Sequence, residues 1–269
     1  MPVLADTAEG IVDDRRPLVG VTVLVPRARE QAGAFSVLLR ERGAEPLEVP
    51  TIAIRPLGST SELDLAVERL LAGGYEWLVL TSVNGVAALR GRVEALGHGA
   101  GSLRTVGTRV AAIGPATEAA LRDWGIAPDL VPPVATTAAL GEAFPAGSGE
   151  VLLARADIAS RELGTILRAK GYHPHDVAAY RTVPLDRLEE GARRRLDRGE
   201  VDWLAFTASS TVQGFARAYG GPPPGGVRVA AIGPVTAAAA RAAGMRVDAT
   251  ASEHTIPGLV AAIERATAA

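Results

Sequence analysis

Gly114-Pro115-Ala116-Thr117 and Gly233-Pro234-Val235-Thr236 are the stretches whose residue types and spacing best suit chemistry, and they recur 119 residues apart. An apolar run ending Val-Ala-Ala-Ile precedes each glycine. Glycine permits a sharp exit from a strand, and proline suits the first helical position because it has no N–H to leave unpaired. The amides that follow lack intrahelical acceptors and lie at the positive end of the helix dipole, which suits an anion. Thr117 and Thr236 fall in the first turn, where a hydroxyl can join those amides. One copy alone would read as turn punctuation with a locally bonded threonine. Repetition of the whole pattern favours a ligand site that uses Gly114, Thr117, Gly233, Val235 and Thr236.

Other polar residues stand at the ends of strand-like runs. Thr81 and Ser82 follow WLVL, Thr207 and Ser209 follow WLAF, and Arg27 and Arg155 follow VLVP and VLLA. The elements that must position them come in pairs. VLLARA from 151 matches VLVPRA from 23, and RAKGYHPHDVAAY from 168 matches RERGAEPLEVPTI from 40, both at an offset of 128. WLAFTASSTVQGF matches WLVLTSVNGVAAL at an offset of 126. A period this long is no solenoid repeat; it indicates a duplicated, domain-sized block of alternating strands and helices. Such alternation predicts doubly wound parallel sheets, with ligands beyond the carboxyl ends of the strands.

The helix after the first strand is expected over 29–42 with Phe35, Leu38 and Leu39 inward, stopped by Gly43, and a second strand over 45–49. After that strand each copy has an extended, proline-bearing stretch, 50–56 and 178–184. Read as two crossings, these make one domain an insertion in the other. The expected organisation is a loose tail over 1–17, a discontinuous α/β domain of 18–50 plus 185–269, an inserted domain over 57–178, and linkers 51–56 and 179–184.

With 269 residues and a formal net charge of −2, the chain lacks the basic footprint of a non-specific nucleic-acid binder. It contains no cysteine, which removes disulfides, thiolate metal sites and cysteine nucleophiles. The first seventeen residues are acidic where a signal peptide needs a basic start, and no apolar run is long enough to span a bilayer, so a cytoplasmic protein is expected. Lys170 is the only lysine and Asn84, Gln31 and Gln213 are the only side-chain amides, a bias that fits a thermophile or a GC-rich genome.

No Walker loop, G-x-G-x-x-G or G-x-S-x-G occurs, so neither a nucleotide cofactor nor a serine triad is indicated. His173 and His175 with Asp176 are the nearest approach to a metal set. They fall in a predicted helix-to-strand connection, and no metal is expected there. His98 and His254 stand isolated and read as structural. Tyr180 is where the copies differ, since its partner at the offset of 128 is Ile52. A phenol there can donate a proton, or it can simply lie along an edge strand.

From about Val19 to Ala262 the chain resembles the uroporphyrinogen-III synthase family. The carriers are LTSVNGVAAL, the AIGPAT and AIGPVT pair, VAAYRT, AFTASSTV and TASEHTIPGLVAAI. The resemblance implies two flavodoxin-like domains, one inserted in the other through two extended linkers that permit domain motion. It implies cyclisation of hydroxymethylbilane, a linear tetrapyrrole with eight carboxylates, with loss of water and inversion of the last ring. No cofactor, metal, nucleic acid or membrane is implied, and a monomer is expected. Tyr180 matches the tyrosine proposed to assist departure of the hydroxyl, and Ser82, Thr117, Ser209 and Thr236 match hydroxyls lining the family's cleft. Val83-Asn84 departs from the Pro-Arg of many relatives. The competing readings are a non-enzymatic two-lobed polyanion binder and a dinucleotide enzyme.

Overall fold

A computed structural model describes residues 16–105 and 107–268. Nearly all of the expected N-terminal tail, residues 1–15, lies outside them. In chain order the elements are β1 (Thr22–Val25), α1 (Arg29–Glu41), β2 (Glu45–Glu48), β3 (Ile52–Arg55), α2 (Ser61–Leu71), β4 (Trp77–Leu80), α3 (Val83–Ala95), α4 (Ala100–Thr105) and β5 (Arg109–Ala112). They continue with α5 (Pro115–Asp123), α6 (Thr137–Ala143), β6 (Glu150–Ala156), α7 (Glu162–Ala169), β7 (His173–Pro184), α8 (Glu190–Asp197), β8 (Trp203–Phe206), α9 (Ser209–Tyr219), β9 (Arg228–Ala231), α10 (Pro234–Ala242), β10 (Ala249–Thr250) and α11 (Ile256–Ala268).

Two compact units result. One combines the described residues up to Ala53 with those from Pro184 onward, and the other is Ile54–Val183. The first carries a sheet of order β10-β9-β8-β1-β2, the second one of order β3-β7-β6-β4-β5. Matching β9, β8, β1 and β2 with β5, β4, β6 and β7 gives the same spatial order, and every register pairing between these matched strands is parallel. Beyond β5 the isolated bridge from Ala111 to Leu130 stands where β10 stands beside β9. Small details repeat as well. Asp129 accepts the Val110 amide at 2.7 Å and Asp248 accepts the Val229 amide at 2.8 Å, and both carboxylates come nineteen residues after the amide they bind.

The central strands are predominantly apolar because both faces of each sheet are covered. β1, β4 and β8 are buried along their whole length. In the first unit Phe35 and Trp203 lie in the core on one face, Leu204 and Phe215 in that on the other. In the second unit Leu78 and Leu89 are separated in the same way from Val79 and Leu153. Phe35 and Leu39 of α1 are fully buried, and Leu38 is half-buried. Gly43 stops α1 at φ +92°, and Gly171 stops α7 at +97°, in the left-handed region where a β-carbon is costly.

The two stretches expected as extended linkers fall largely in strands. β3 is an edge strand beside β7, and β7 runs unbroken for twelve residues from the sheet through the second crossing. The unit boundaries therefore fall within β3 and at the last residue of β7, and the second unit is wider at both ends than 57–178. Pairing explains this: an extended segment beside a sheet edge satisfies its backbone by joining the ladder. Thr51, at the first crossing, is fully buried, with its hydroxyl 3.0 Å from the Pro26 carbonyl and 3.2 Å from that of Thr211.

Candidate functional site

At the carboxyl ends of the central strands the two units repeat a strand-to-helix turn. Ser82, the N-cap of α3, has φ −164° and ψ 155°, and Ala208, the N-cap of α9, has −163° and 155°. The side chains differ. Ser82 Oγ accepts the Gly85 amide at 3.0 Å, whereas α9 has no side-chain cap and Ser209 is already its first residue. The Thr81, Thr207 and Ser209 hydroxyls are half-buried and make no hydrogen bond among the described residues.

The Gly-Pro turns lie beside these loops, because the Ile113 amide bonds Leu80 at 3.1 Å and the Ile232 amide bonds Phe206 at 2.9 Å. Pro115 and Pro234 begin α5 and α10, and neither helix has a side-chain cap. Gly114 and Gly233 have extended backbone, so close approach rather than left-handed geometry demands glycine. A β-carbon at Gly114 would meet Ala135 Cβ at 2.5 Å, and one at Gly233 would meet the His254 ring at 3.0 Å. Thr117 and Thr236 are only 3% and 5% exposed, and their hydroxyls bond nothing among the described residues. Val235 beside them is exposed. The two ends are not equal, since α5 carries Glu118 in its first turn and α10 has no acidic residue there. A carboxylate at that position opposes an anion, so α10 offers the better anion site.

Tyr180 reaches the α3 turn from β7. It is 8% exposed, its hydroxyl is 2.9 Å from Ser82 Oγ, and the Asn84 side chain also hydrogen-bonds it. Burial pushes its pKa above the ordinary phenol value, while the bonds from Ser82 and Asn84 act in the opposite direction. Either hydroxyl of the Ser82–Tyr180 pair can donate to the other, and both bonds favour the phenolate. The backbone beneath Tyr180 is irregular: the β6–β7 register shifts between Arg155 and Ala156, and Ala156 pairs with Tyr180. Such a bulge re-aims the side chains around it.

The arginines at matched positions diverge. Arg155, 3% exposed, is paired with Asp176 and donates to the Ser160 carbonyl at 2.9 Å, so its charge is spent within the fold. Arg27 is half-buried without a hydrogen bond or ion pair among the described residues, and burial lowers its pKa. His173 and His175 open β7 rather than lying in a connection, and His175 Nδ1 is 2.5 Å from the Tyr75 hydroxyl. Among the described residues no cluster could hold a metal ion.

Two residues of interest were not chosen from sequence as contacts. Asn84 is legible only once Tyr180 is known to face α3. His254 was set aside as isolated, yet it packs on Gly233 as Ala135 packs on Gly114, and the two differ by 119, the spacing of the Gly-Pro turns. Extending that offset past the turns would have paired them.

Paired parallel sheets with strand-end hydroxyls, open helix N-termini and a buried phenol define a two-unit, doubly wound α/β protein. Comparison with known proteins narrows the class. The family model for uroporphyrinogen-III synthase HemD matches residues 33–261. A uroporphyrinogen-III synthase of Synechococcus elongatus is 31% identical over 260 residues, covering 93% of this chain and 97% of that protein. A porphyrin biosynthesis protein HemD of Ruminiclostridium josui is 32% identical over 235 residues, covering 86% of this chain, which spans about half (46%) of that longer protein. The crystal structure of a mutant uroporphyrinogen III synthase from the extremely thermophilic bacterium Thermus thermophilus superposes with a TM-score of 0.66 at 26% identity, covering 91% of this chain and 98% of that one. The chain belongs to the uroporphyrinogen-III synthase family.

Proposed function

We propose that the chain cyclises hydroxymethylbilane to uroporphyrinogen III, with Tyr180 as the group that protonates the departing hydroxyl. The observation that carries the role is the buried phenol of β7, held at the α3 turn by hydrogen bonds with Ser82 and Asn84. Proton transfer to the hydroxymethyl oxygen breaks the C–O bond and releases water, as the pyrrole nitrogen lone pair closes an azafulvene. The substituted carbon of the last ring attacks it to give a spiro intermediate, which fragments and recombines with that ring inverted. The proton finally lost from the last ring's unsubstituted carbon balances the one donated.

Most of the task is holding the chain so that the wrong carbon is the near one, a proximity effect that can contribute several kcal/mol. In this reading the open ends of α5 and α10, with Thr117 and Thr236, hold substrate carboxylates, and Thr81, Ser82, Thr207, Ser209 and Arg27 add donors. Arg155 serves the fold, on account of its ion pair. The two units derive from a duplication and change their relative orientation during the cycle; the protein works as a cytoplasmic monomer, and its Arg-rich composition fits a thermophile. Incubation with hydroxymethylbilane and separation of the product isomers tests the function. The type III isomer is expected, and type I alone, as forms spontaneously, would reduce the chain to a polyanion binder.

A further inference from the structure

Within the second unit a cavity of about 480 Å3 opens where α3 and the start of α2 face β3 and β7. Ile54, Leu57, Leu63 and Ala88 give it a largely apolar lining. Polar groups at its border are mostly committed: the Thr60 hydroxyl bonds Asp64 at 2.7 Å, and Arg92 Nε bonds the same carboxylate at 2.6 Å. Arg55 is the exception. It lines the cavity, is exposed, and makes no hydrogen bond or ion pair among the described residues. Tyr180 lines it too, as does Asn84, the residue whose side chain bonds the phenol.

An apolar slot with one uncommitted cation at its edge and a proton donor in its wall selects a flat ring that carries an anionic arm and a basic leaving group. We infer that this cavity seats the pyrrole bearing the hydroxymethyl group, with one of that ring's carboxylates on Arg55 and the hydroxymethyl oxygen facing the Tyr180 hydroxyl. The assignment rests on the function proposed above and adds to it a position for one ring. The volume matters here. It lies within the range of small-molecule sites and is suited to a single substituted pyrrole, while four rings with eight carboxylates must extend beyond it. Seating one terminal ring apart from the rest also distinguishes the two ends of the bilane, which a reaction that inverts only the ring at the opposite end requires.

A pyrrole dicarboxylic acid monomer, titrated into the full chain by calorimetry, tests the seat without reference to turnover. It should bind the native protein, bind Arg55→Ala about tenfold or more weakly, and bind Ala88→Leu, which narrows the slot, least of all. In the isomer assay both variants should raise KM for hydroxymethylbilane and still give the type III isomer. Thermal unfolding checks that Ala88→Leu folds; should it not, Arg55→Ala, a change at an exposed side chain, decides alone. Equal probe binding and equal KM in native protein and Arg55→Ala would overturn the seat, even with type III product confirming the function. Type I product from the native protein would overturn the function, and this assignment with it.

Discussion

Tyr180 and Ser82 are 98 positions apart in sequence, and their hydroxyl oxygens lie 2.9 Å apart. Ser82 Oγ also accepts the Gly85 amide, and the Asn84 side chain bonds the phenol too, so the Tyr180 hydroxyl is held by two side chains of the α3 turn. Tyr180→Phe removes only that hydroxyl. It should keep the fold and most substrate binding and lower kcat by roughly 10²-fold or somewhat less, because the substrate ionises readily. Native turnover in this variant, measured with isomer analysis, would remove the phenol from the mechanism.

The same burial sets a pH dependence. Since the folded pKa of Tyr180 is raised, the stability linked to it is fully present below the ordinary phenol value near 10 and is lost as pH rises through the folded value. In the proposed role the acid form is the active one. Activity should therefore show no loss due to Tyr180 through neutral pH and should fall only on the alkaline side. Tyr180→Phe should flatten that alkaline limb, in pH–rate profiles as in unfolding curves.

Much of this was legible in the sequence, and the remainder was not for identifiable reasons. β4 and β8 are short apolar runs between turn signals, and the two Gly-Pro turns carry their own local logic, so class and helix starts could be read along the chain. Asn84 and Ser82 meet Tyr180 from another element, beside a register shift at Arg155 and Ala156 that no local pattern encodes. The fate of Arg155 was hidden similarly, because its partner Asp176 lies on the neighbouring strand. The repeat sets Ser82 opposite Ala208, so Ser209 stands one position beyond the N-cap and is not the counterpart of Ser82.

Thr117 and Thr236 provide a test of the helix ends. Neither hydroxyl bonds anything among the described residues, so Thr→Ala at either site breaks no bond there, and the cost to stability should stay within about 1 kcal/mol. Substrate binding should weaken in both. The larger effect is expected for Thr236→Ala, because Glu118 already makes the α5 end less favourable to an anion. Calorimetry and KM values on the two variants give the order, and unchanged affinity in both would return these residues to the fold.

His254 bears on the same end of α10. Its ring occupies the space that an N-cap side chain would fill above Gly233, where the other unit has only the methyl group of Ala135. A donor there, close to uncapped amides, should strengthen carboxylate binding by a modest amount, about 1 kcal/mol for one hydrogen bond to a charged group after desolvation. His254→Ala should therefore raise KM several-fold at neutral pH and leave the isomer ratio unchanged. An unaltered KM would mean that the imidazole only fills space.

Gly214 tests the crossing rather than the site. A β-carbon on this α9 residue would come within 2.6 Å of the Thr51 carbonyl oxygen and 2.9 Å of Ile52 Cγ2, in a region where Thr51 is fully buried and its carbonyl also accepts the Leu185 amide at 2.9 Å. In an open helix Gly→Ala would stabilise by roughly 1 kcal/mol through propensity. Here the methyl group has to displace backbone on which both crossings depend, and overpacking of that kind costs about 1–3 kcal/mol. The net expectation for Gly214→Ala is a loss of stability, with a fall in the denaturation midpoint. Gly33, a helical glycine in α1 whose β-carbon would meet nothing within 4 Å, is the matched control and should gain stability on the same substitution. If Gly214→Ala were as stable as Gly33→Ala, the packing of α9 on Thr51 would be looser than this geometry requires.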